Sequence, residues 1–342
     1  MPIGYRNLST PLKGMVNPGL DVGQIHYLVD PNFRTSAQGW SRPDGTGVLD
    51  LWAERNPGFV FYGAGAGAQD SRYATDAAAL QGAIDAMIDF RGDTLFFTPG
   101  NYSIATARTI DVPDARWLGP AVSDPVQCRA TITAAVANAL TTTAAADRME
   151  VGFLRFVPLT AANMWSVVAL TDNLHFHDFL YDTNGITAST ATTFLDFAGA
   201  SLNSVFDRFT FFTDDSQGPM FVISDFTTLR LRLSHFYHYH VGANALAISL
   251  VDDNSATAAG IIVGPGFGLT GGAGAVTTMY DLVNKTLAET NVTIREFDGS
   301  VQYATATTLV TSAGAVNDID LVDCWIATVE GGAGRAAYVG AA

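Results

Sequence analysis

Residues 173–183 read NLHFHDFLYDT and residues 203–213 read NSVFDRFTFFT, and the two stretches superpose without a gap. Both place aromatic residues at one pair of positions three apart, Phe176/Phe179 and Phe206/Phe209. Working outward, the same apolar–x–x–apolar phrase returns as Phe153/Phe156, Leu233/Phe236, Ile294/Phe297 and Leu321/Cys324, with a degraded copy at Ile262/Pro265. The interval is roughly 23–32 residues, inside the range in which each unit buries its apolar face only by stacking on the next. Within a unit, Leu174 and Phe176 alternate with polar residues, and past the bend Phe179 and Tyr181 are again two apart. Period-two alternation on both sides of a phase-resetting bend predicts two strand segments joined at a corner.

The fold class this implies is mainly β, a single-stranded right-handed parallel β-helix. Its inward column of first members is expected to run Phe153, Phe176, Phe206, Leu233, Ile262, Ile294, Leu321. A further face is expected from Trp165–Ala169, Phe194–Phe197, Met220–Ile223, Leu246–Leu250, Met279–Leu282 and Thr308–Thr311. At about 4.8 Å per turn, such a stack makes a rod on the order of 40 Å long.

Ahead of the repeats, Thr75 and Asp76 signal a helix start, and Leu80, Ile84, Met87 and Ile88 form one apolar stripe before Arg91-Gly92. The strand Thr94–Phe97, the turn Pro99-Gly100-Asn101 and the strand Tyr102–Ile104 follow. This stretch, Gly63 to Ile104, resembles the start of pectate-lyase-like right-handed β-helices, an opening shared by many bacteriophage tailspikes. The resemblance implies that the helix caps the N-terminal mouth of the solenoid and that the strand–Pro-Gly–Tyr unit begins its first turn. It is specific for fold; function on such a scaffold varies. Three regions result: residues 1–60 as a virion-anchoring arm or cap, 61–105 as connector, capping helix and first turn, and 106–342 as the β-helix. A dinucleotide fingerprint requires a helix opening directly on its glycine loop. Here the polar stretch from Gln69 to Tyr73 separates the alternating Gly/Ala loop at 63–68 from the helix, and the loop reads as a connector.

Composition narrows the partners. A net charge of −15 with 18 Lys and Arg together, and no basic cluster, argues against nucleic acid. Hydrophobic residues make up 48% of the chain, yet no apolar run reaches the ~20 residues of a membrane span. The first residues show no basic-then-apolar secretory pattern. Cys128 and Cys324 read as free thiols, compatible with assembly in a reducing cytoplasm.

For chemistry, the bend carries Arg155, Asp178 and Arg208 on three successive turns, an expected charge ladder along the outside of the rod. His175/His177 and His235/His238/His240 supply acid–base or metal-ligand types, but with no third and fourth ligand at conventional spacing, and His238 falls in the inward column with Tyr181, Phe211 and Phe267. Glycan cleavage on such a scaffold needs a carboxylate pair some 5–9 Å apart. Asp214-Asp215 and Asp252-Asp253 read as turn residues instead, and Arg230 and Arg232 near Asp225 are a faint lyase candidate. Tyr237, Tyr239 and Trp165 are expected to project outward, as glycan-binding or trimer-interface residues. No catalytic residue, cofactor or metal site is expected. The functional expectation is a homotrimeric virion protein of a bacteriophage, a β-helical spike or decoration on capsid or tail. It would contact other virion proteins through its N-terminal arm, with host surface polysaccharide as a further contact. The alternative is a tailspike depolymerase, a polysaccharide hydrolase or lyase.

Overall fold

The computed structural model describes residues 25–30, 35–40, 59–62 and, with interruptions of which the longest are 184–192, 251–258 and 271–277, residues 75–340. The described chain is mainly β and forms a parallel solenoid with one short α-helix. Each turn contributes a strand to up to three parallel ladders. The first ladder runs through Thr94–Phe97, Arg116–Leu118, Glu150–Gly152 and the leading part of His175–Asp182; the second runs through Gly100–Ile104, Ala130–Ala134 and Leu154–Pro158. In Ser201–Asp214 and Leu229–Val241 one continuous strand serves both. The third ladder is a nine-stranded sheet from Arg108–Ile110 to Arg335–Gly340. Its members at Asn163–Val167, Thr193–Phe197, Phe221–Ile223, Ile248–Leu250, Thr278–Lys285 and Thr307–Gly314 are the strands expected for that face.

The register corrects the expected inward column at two places. Phe176, Phe206 and Leu233 are in register, as are Ile294 and Leu321. Val151, however, opposes Phe176, and Val263 opposes Leu233 and Ile294. Phe153 and Ile262 are therefore off the column, by two residues and by one, and Ile262 is 40% exposed. Phe153-x-x-Phe156 has the spacing of the true pair, but Phe153 itself occupies the corner with φ 59°. That backbone turn sends Val151 and Leu154 inward and leaves Phe153 outside. Phe156 is in the core, one step farther along, opposite Ile132 and Tyr181. His238 is in backbone register with Phe211 as expected, though its other neighbour is Gly268 rather than Phe267; its side chain lies outside the described residues.

The interior is filled by rings. Phe179, Phe209 and Phe236 stack along the rod with centroids 5.2 Å apart in each step and planes within 17° and 8°. Phe176 and Phe206 stack at 4.9 Å. Such aromatic pairs add about 0.5–1.5 kcal/mol each beyond the area they bury. The ring column ends where Gly266 follows Phe236: a Cβ there would come within 2.2 Å of the Phe236 ring, so only glycine leaves room for it.

The helix α1, Asp76–Ala86, begins as expected, with Thr75 Oγ1 accepting the Ala78 N–H at 3.1 Å. Leu80 and Ile84 are fully buried and Met87 nearly so. The helix packs against Phe59–Tyr62, Gly100–Ile104 and Arg108–Ile110, one early strand from each ladder, and so lies across the start of the stack. Asp76 reaches farther than a dipole partner would: its carboxylate accepts the Ser103 N–H at 2.9 Å. Burial pushes its pKa up against that bond. Phe59–Tyr62 pairs in parallel with Thr94–Phe97, so the ladder starts ahead of α1, earlier than the sequence suggests. Within residues 1–60 an antiparallel pair, Ile25–Asp30 with Thr35–Trp40, is also described. The rest of that region and the Gly/Ala loop lie outside the described residues.

Candidate functional site

The corner between the first and second ladders carries the richest polar chemistry of the described chain. Its geometry begins with the backbone. One residue per turn adopts the left-handed conformation: Phe153, Asp178, Arg208, His235, Glu296 and Asp323, with φ between 48° and 59°. Asp and His are the types here found most often in that region; for the others it costs about 1–2 kcal/mol per residue, so the stacked neighbours must hold it. Ladder hydrogen bonds run through the corner and do so, as when the Phe153 N–H donates to Asp178 O at 3.1 Å and the Glu296 N–H donates to Val322 O at 2.9 Å.

Side chains on this corner form a continuous chain of ionic hydrogen bonds across successive turns. Arg116 Nε donates to Glu150 Oε2 at 2.6 Å, and Glu150 Oε1 lies 3.0 Å from His177 Nε2. The other ring nitrogen, His177 Nδ1, is 2.8 Å from Asp178 Oδ2. Arg208 clasps Asp178 with Nε and a terminal nitrogen, at 2.8 and 2.7 Å, and gives its third contact to Asp207 Oδ2 at 2.8 Å. Asp207 Oδ1 then accepts from Ser234 Oγ at 2.8 Å and lies 2.7 Å from His235 Nδ1. Bidentate arginine–carboxylate pairing of the Asp178–Arg208 kind is strong and directional.

The expected Arg155–Asp178–Arg208 ladder is thus half present. Asp178 and Arg208 pair; Arg155 does not join them. The corrected register puts Arg155 opposite Leu180 on the second ladder, past the corner, where it pairs with Asp182 at 2.5 Å. The position facing Asp178 is taken by His177 and, one turn back, by Phe153, whose ring meets the imidazole edge-on at 5.1 Å.

Electrostatics follow from this pairing. Burial would raise the Glu150 and Asp178 carboxyls, but hydrogen bonds and charge from Arg116 and His177, and from Arg208 and His177, outweigh it and hold both below their usual range. Asp207 is likewise lowered against burial by His235, Ser234 and Arg208. His175, whose ring lies 4.9 Å from that of His177, is pushed down by burial and then by the neighbouring positive charge.

A second polar ladder flanks the first at the opposite end of these strands. Asp114, Arg148, Asn173 and Asn203 also have positive φ and occupy equivalent positions two residues before Arg116, Glu150, His175 and Val205. Arg148 pairs with Asp114 through two bonds of 2.5 and 2.9 Å.

His177 has a bed made for it. A Cβ on Gly152 would come within 2.4 Å of the imidazole, so the ring occupies the place a side chain would take on the preceding turn. Gly152→Ala is expected to displace His177 and lower stability by about 1–3 kcal/mol through overpacking. Thermal unfolding together with the loss of the Glu150–His177 contact in a structure of the variant checks it.

The other sequence candidates fall elsewhere. Trp165, expected to project outward, is corrected: it is fully buried, in register with Leu140 and Leu195 on the inner side of the third ladder, and its ring lies 5.0 Å from that of Phe176. Every residue from Met164 to Val167 is buried, so the strand carries no in-and-out alternation from which the facing of Trp165 could be read. Tyr237 is half-buried and in register with Thr210 and Phe267. Tyr239 is in backbone register with Phe212 and Leu269, and its side chain lies outside the described residues. Asp215, Asp225, Asp252 and Asp253 also lie outside them, so the faint lyase grouping around Asp225 is not assembled by any described contact. Cys128, on the short turn after Pro125–Gln127, points its Sγ at Asp178 O, 3.4 Å away. Burial, then the Asp178 charge, push its thiol up to about 12, which keeps it protonated and a poor nucleophile. Among the described residues no group of three or more His, Cys, Asp and Glu is placed to hold a metal ion. No described helix is long and apolar enough to cross a membrane.

What the ridge can do chemically is bind turn to turn. Each charged group from Arg116 to His235 is engaged by an opposite or hydrogen-bonding neighbour, and His177, the central imidazole, has 8% of its side chain exposed. Sequence reasoning missed the Glu150–His177 and Asp207–His235 links, although partners separated by one repeat length were the signal that found Asp178–Arg208. Comparison with protein-family models, with curated proteins and with solved structures gave no match.

Proposed function

We propose that the chain is a structural protein of a bacteriophage virion, a trimeric β-helical spike or decoration that stands on capsid or tail. The observation that carries this reading is the ionic ridge. Polar groups that could serve a reaction are spent on one another along the rod axis, on top of a solid aromatic core. This is what a scaffold that must keep its shape requires. The phage assignment draws on the tailspike-like stretch from Gly63 to Ile104, and the trimer on the need of such rods to cover their outer faces. Residues 1–60 would supply the attachment to other virion proteins, and the half-buried Tyr237 would meet host polysaccharide or a neighbouring protomer.

One observation favours the depolymerase reading: Glu150 and Asp178 flank an imidazole, the residue types of acid–base chemistry. Each of them is nonetheless bound by an arginine, which leaves neither poised to exchange a proton with a sugar.

Antibody labelling of intact phage particles whose lysate contains the protein is expected to decorate a fixed site. Sedimentation of the full chain is expected to give three copies. Incubation with host capsule or lipopolysaccharide should release neither reducing ends nor unsaturated sugars. Release of either would replace the structural reading with the enzymatic one, and absence of label from the particles would remove the virion assignment.

A further inference from the structure

We propose that His177 is a proton-operated staple between two successive turns of the solenoid, closed when both ring nitrogens donate to Glu150 and Asp178 and open when the ring gives up a proton. The argument is one of donors and acceptors. Ionised carboxylates only accept hydrogen bonds, and a neutral imidazole has one donor and one acceptor, so only the imidazolium satisfies both contacts. The contacts are 3.0 Å to Glu150 on the preceding turn and 2.8 Å to Asp178 at the corner of its own. In the neutral ring, a lone pair would face a carboxylate oxygen across one of these short distances, with 8% of the side chain open to water that could intervene.

The surroundings make the proton count. Glu150 is backed by Arg116, and Asp178 by Arg208, so each carboxylate has an arginine as well as His177 holding its pKa down. From the following turn, Asp207 lies beyond Arg208 and is paired to it. On its own strand the His175 ring lies tilted 4.9 Å away, and burial, then the charge of His177, push its pKa down. The edge of Phe153 closes one side and Gly152 lies beneath. The Cys128 thiol on the neighbouring short turn is neutral, pushed up to about 12. A single proton on His177 therefore decides whether the two turns are tied here.

Loss of that proton frees one of the two carboxylates and loosens the corner, where the Phe153 N–H bonds to Asp178 O. Selective ¹⁵N-histidine labelling of the full chain is expected to show both ring nitrogens of His177 protonated at about pH 6. Amide-exchange protection of Phe153, corrected for the intrinsic rate, is expected to fall roughly tenfold between about pH 6 and about pH 9, while that of Trp165 in the core stays level. His177→Gln, which cannot titrate, should give Phe153 protection that does not change with pH, and His235→Asn should keep the wild-type profile. One protonated ring nitrogen at about pH 6 would overturn the proposal, as would wild-type Phe153 protection equal at both pH values. The ring measurement needs no variant, so it decides the matter even if His177→Gln does not fold.

Discussion

Trp165→Ala is expected to lower stability by about 3–5 kcal/mol, the range for deleting a large buried aromatic. Trp165 is where the three ladders meet. Its ring lies 5.7 Å from Trp117 of the first ladder and 6.2 Å from Phe156 of the second, and 5.0 Å from Phe176 on the next turn. Truncation would leave a void facing all of them. The indole N–H finds no hydrogen-bond partner among the described residues, so the contribution is one of packing, and Trp165→Phe should cost far less. Because each turn of a solenoid is stabilised chiefly by its neighbours, the loss should unfold the turns around Trp165 before the rest and broaden the melting transition. Tyr237→Ala, at a half-buried position, is the contrast, with an expected loss of about 1 kcal/mol. Thermal and denaturant unfolding of the two variants would decide between a core residue and a surface platform. A Trp165→Ala protein with wild-type stability and lost polysaccharide binding would reverse the assignment.

The misreading of Trp165 shows where sequence periodicity stops being informative. Parallel strands and the central columns were legible because Phe176, Phe206 and Leu233 repeat both their spacing and their alternation, and burial enforces both. The third ladder was legible as strands, but its facing was not, since aromatic residues occur on either side of a sheet. The turn at Phe153 failed for a specific reason. Phe153-x-x-Phe156 imitates the inward pair, and nothing in the residue types announces that a phenylalanine will occupy a left-handed corner. That two-residue error also hid the site. With Phe153 set opposite Phe176, Glu150 falls opposite Asn173; with Val151 there instead, Glu150 falls opposite His175 and within reach of His177. Asp178 and Arg208 were legible because both stand at the corner of correctly registered turns. Arg155 was not, because its partner depends on which side of the corner it stands.

Asp178→Ala is expected to be the most damaging change on the ridge, costing about 2–3 kcal/mol. This is somewhat less than breaking a fully buried ion pair, because Arg208 is half exposed. The substitution removes the acceptor for two bonds of Arg208 and one of His177, and a buried imidazole left with one of its two partners is the larger part of the cost. A cycle with Arg208→Met should give a coupling energy near 1 kcal/mol or above; a coupling near zero would mean that the corner is held by its backbone alone. The same pairing sets the response to acid. Glu150, Asp178, Asp207 and Asp114 all have carboxyls held below their ordinary values, Asp114 chiefly by its hydrogen bonds from Arg148. A group lowered in the folded state adds stability that is fully present above its unfolded pKa of about 4 and is lost as pH falls through the folded one. His175, also lowered, acts in the same direction beginning at a higher pH, since the fold disfavours its charged form. Asp76 acts oppositely, because its raised carboxyl is relieved of a buried charge on protonation. Four lowered carboxyls and a lowered imidazole outnumber it, so the melting temperature should fall steeply from about pH 5 downward. Asp178→Asn, which keeps the shape of the side chain and removes its titration, should melt lower than wild type at neutral pH and converge on it in acid. Parallel curves, with the same gap at every pH, would show that the Asp178 charge does not tie the turns together.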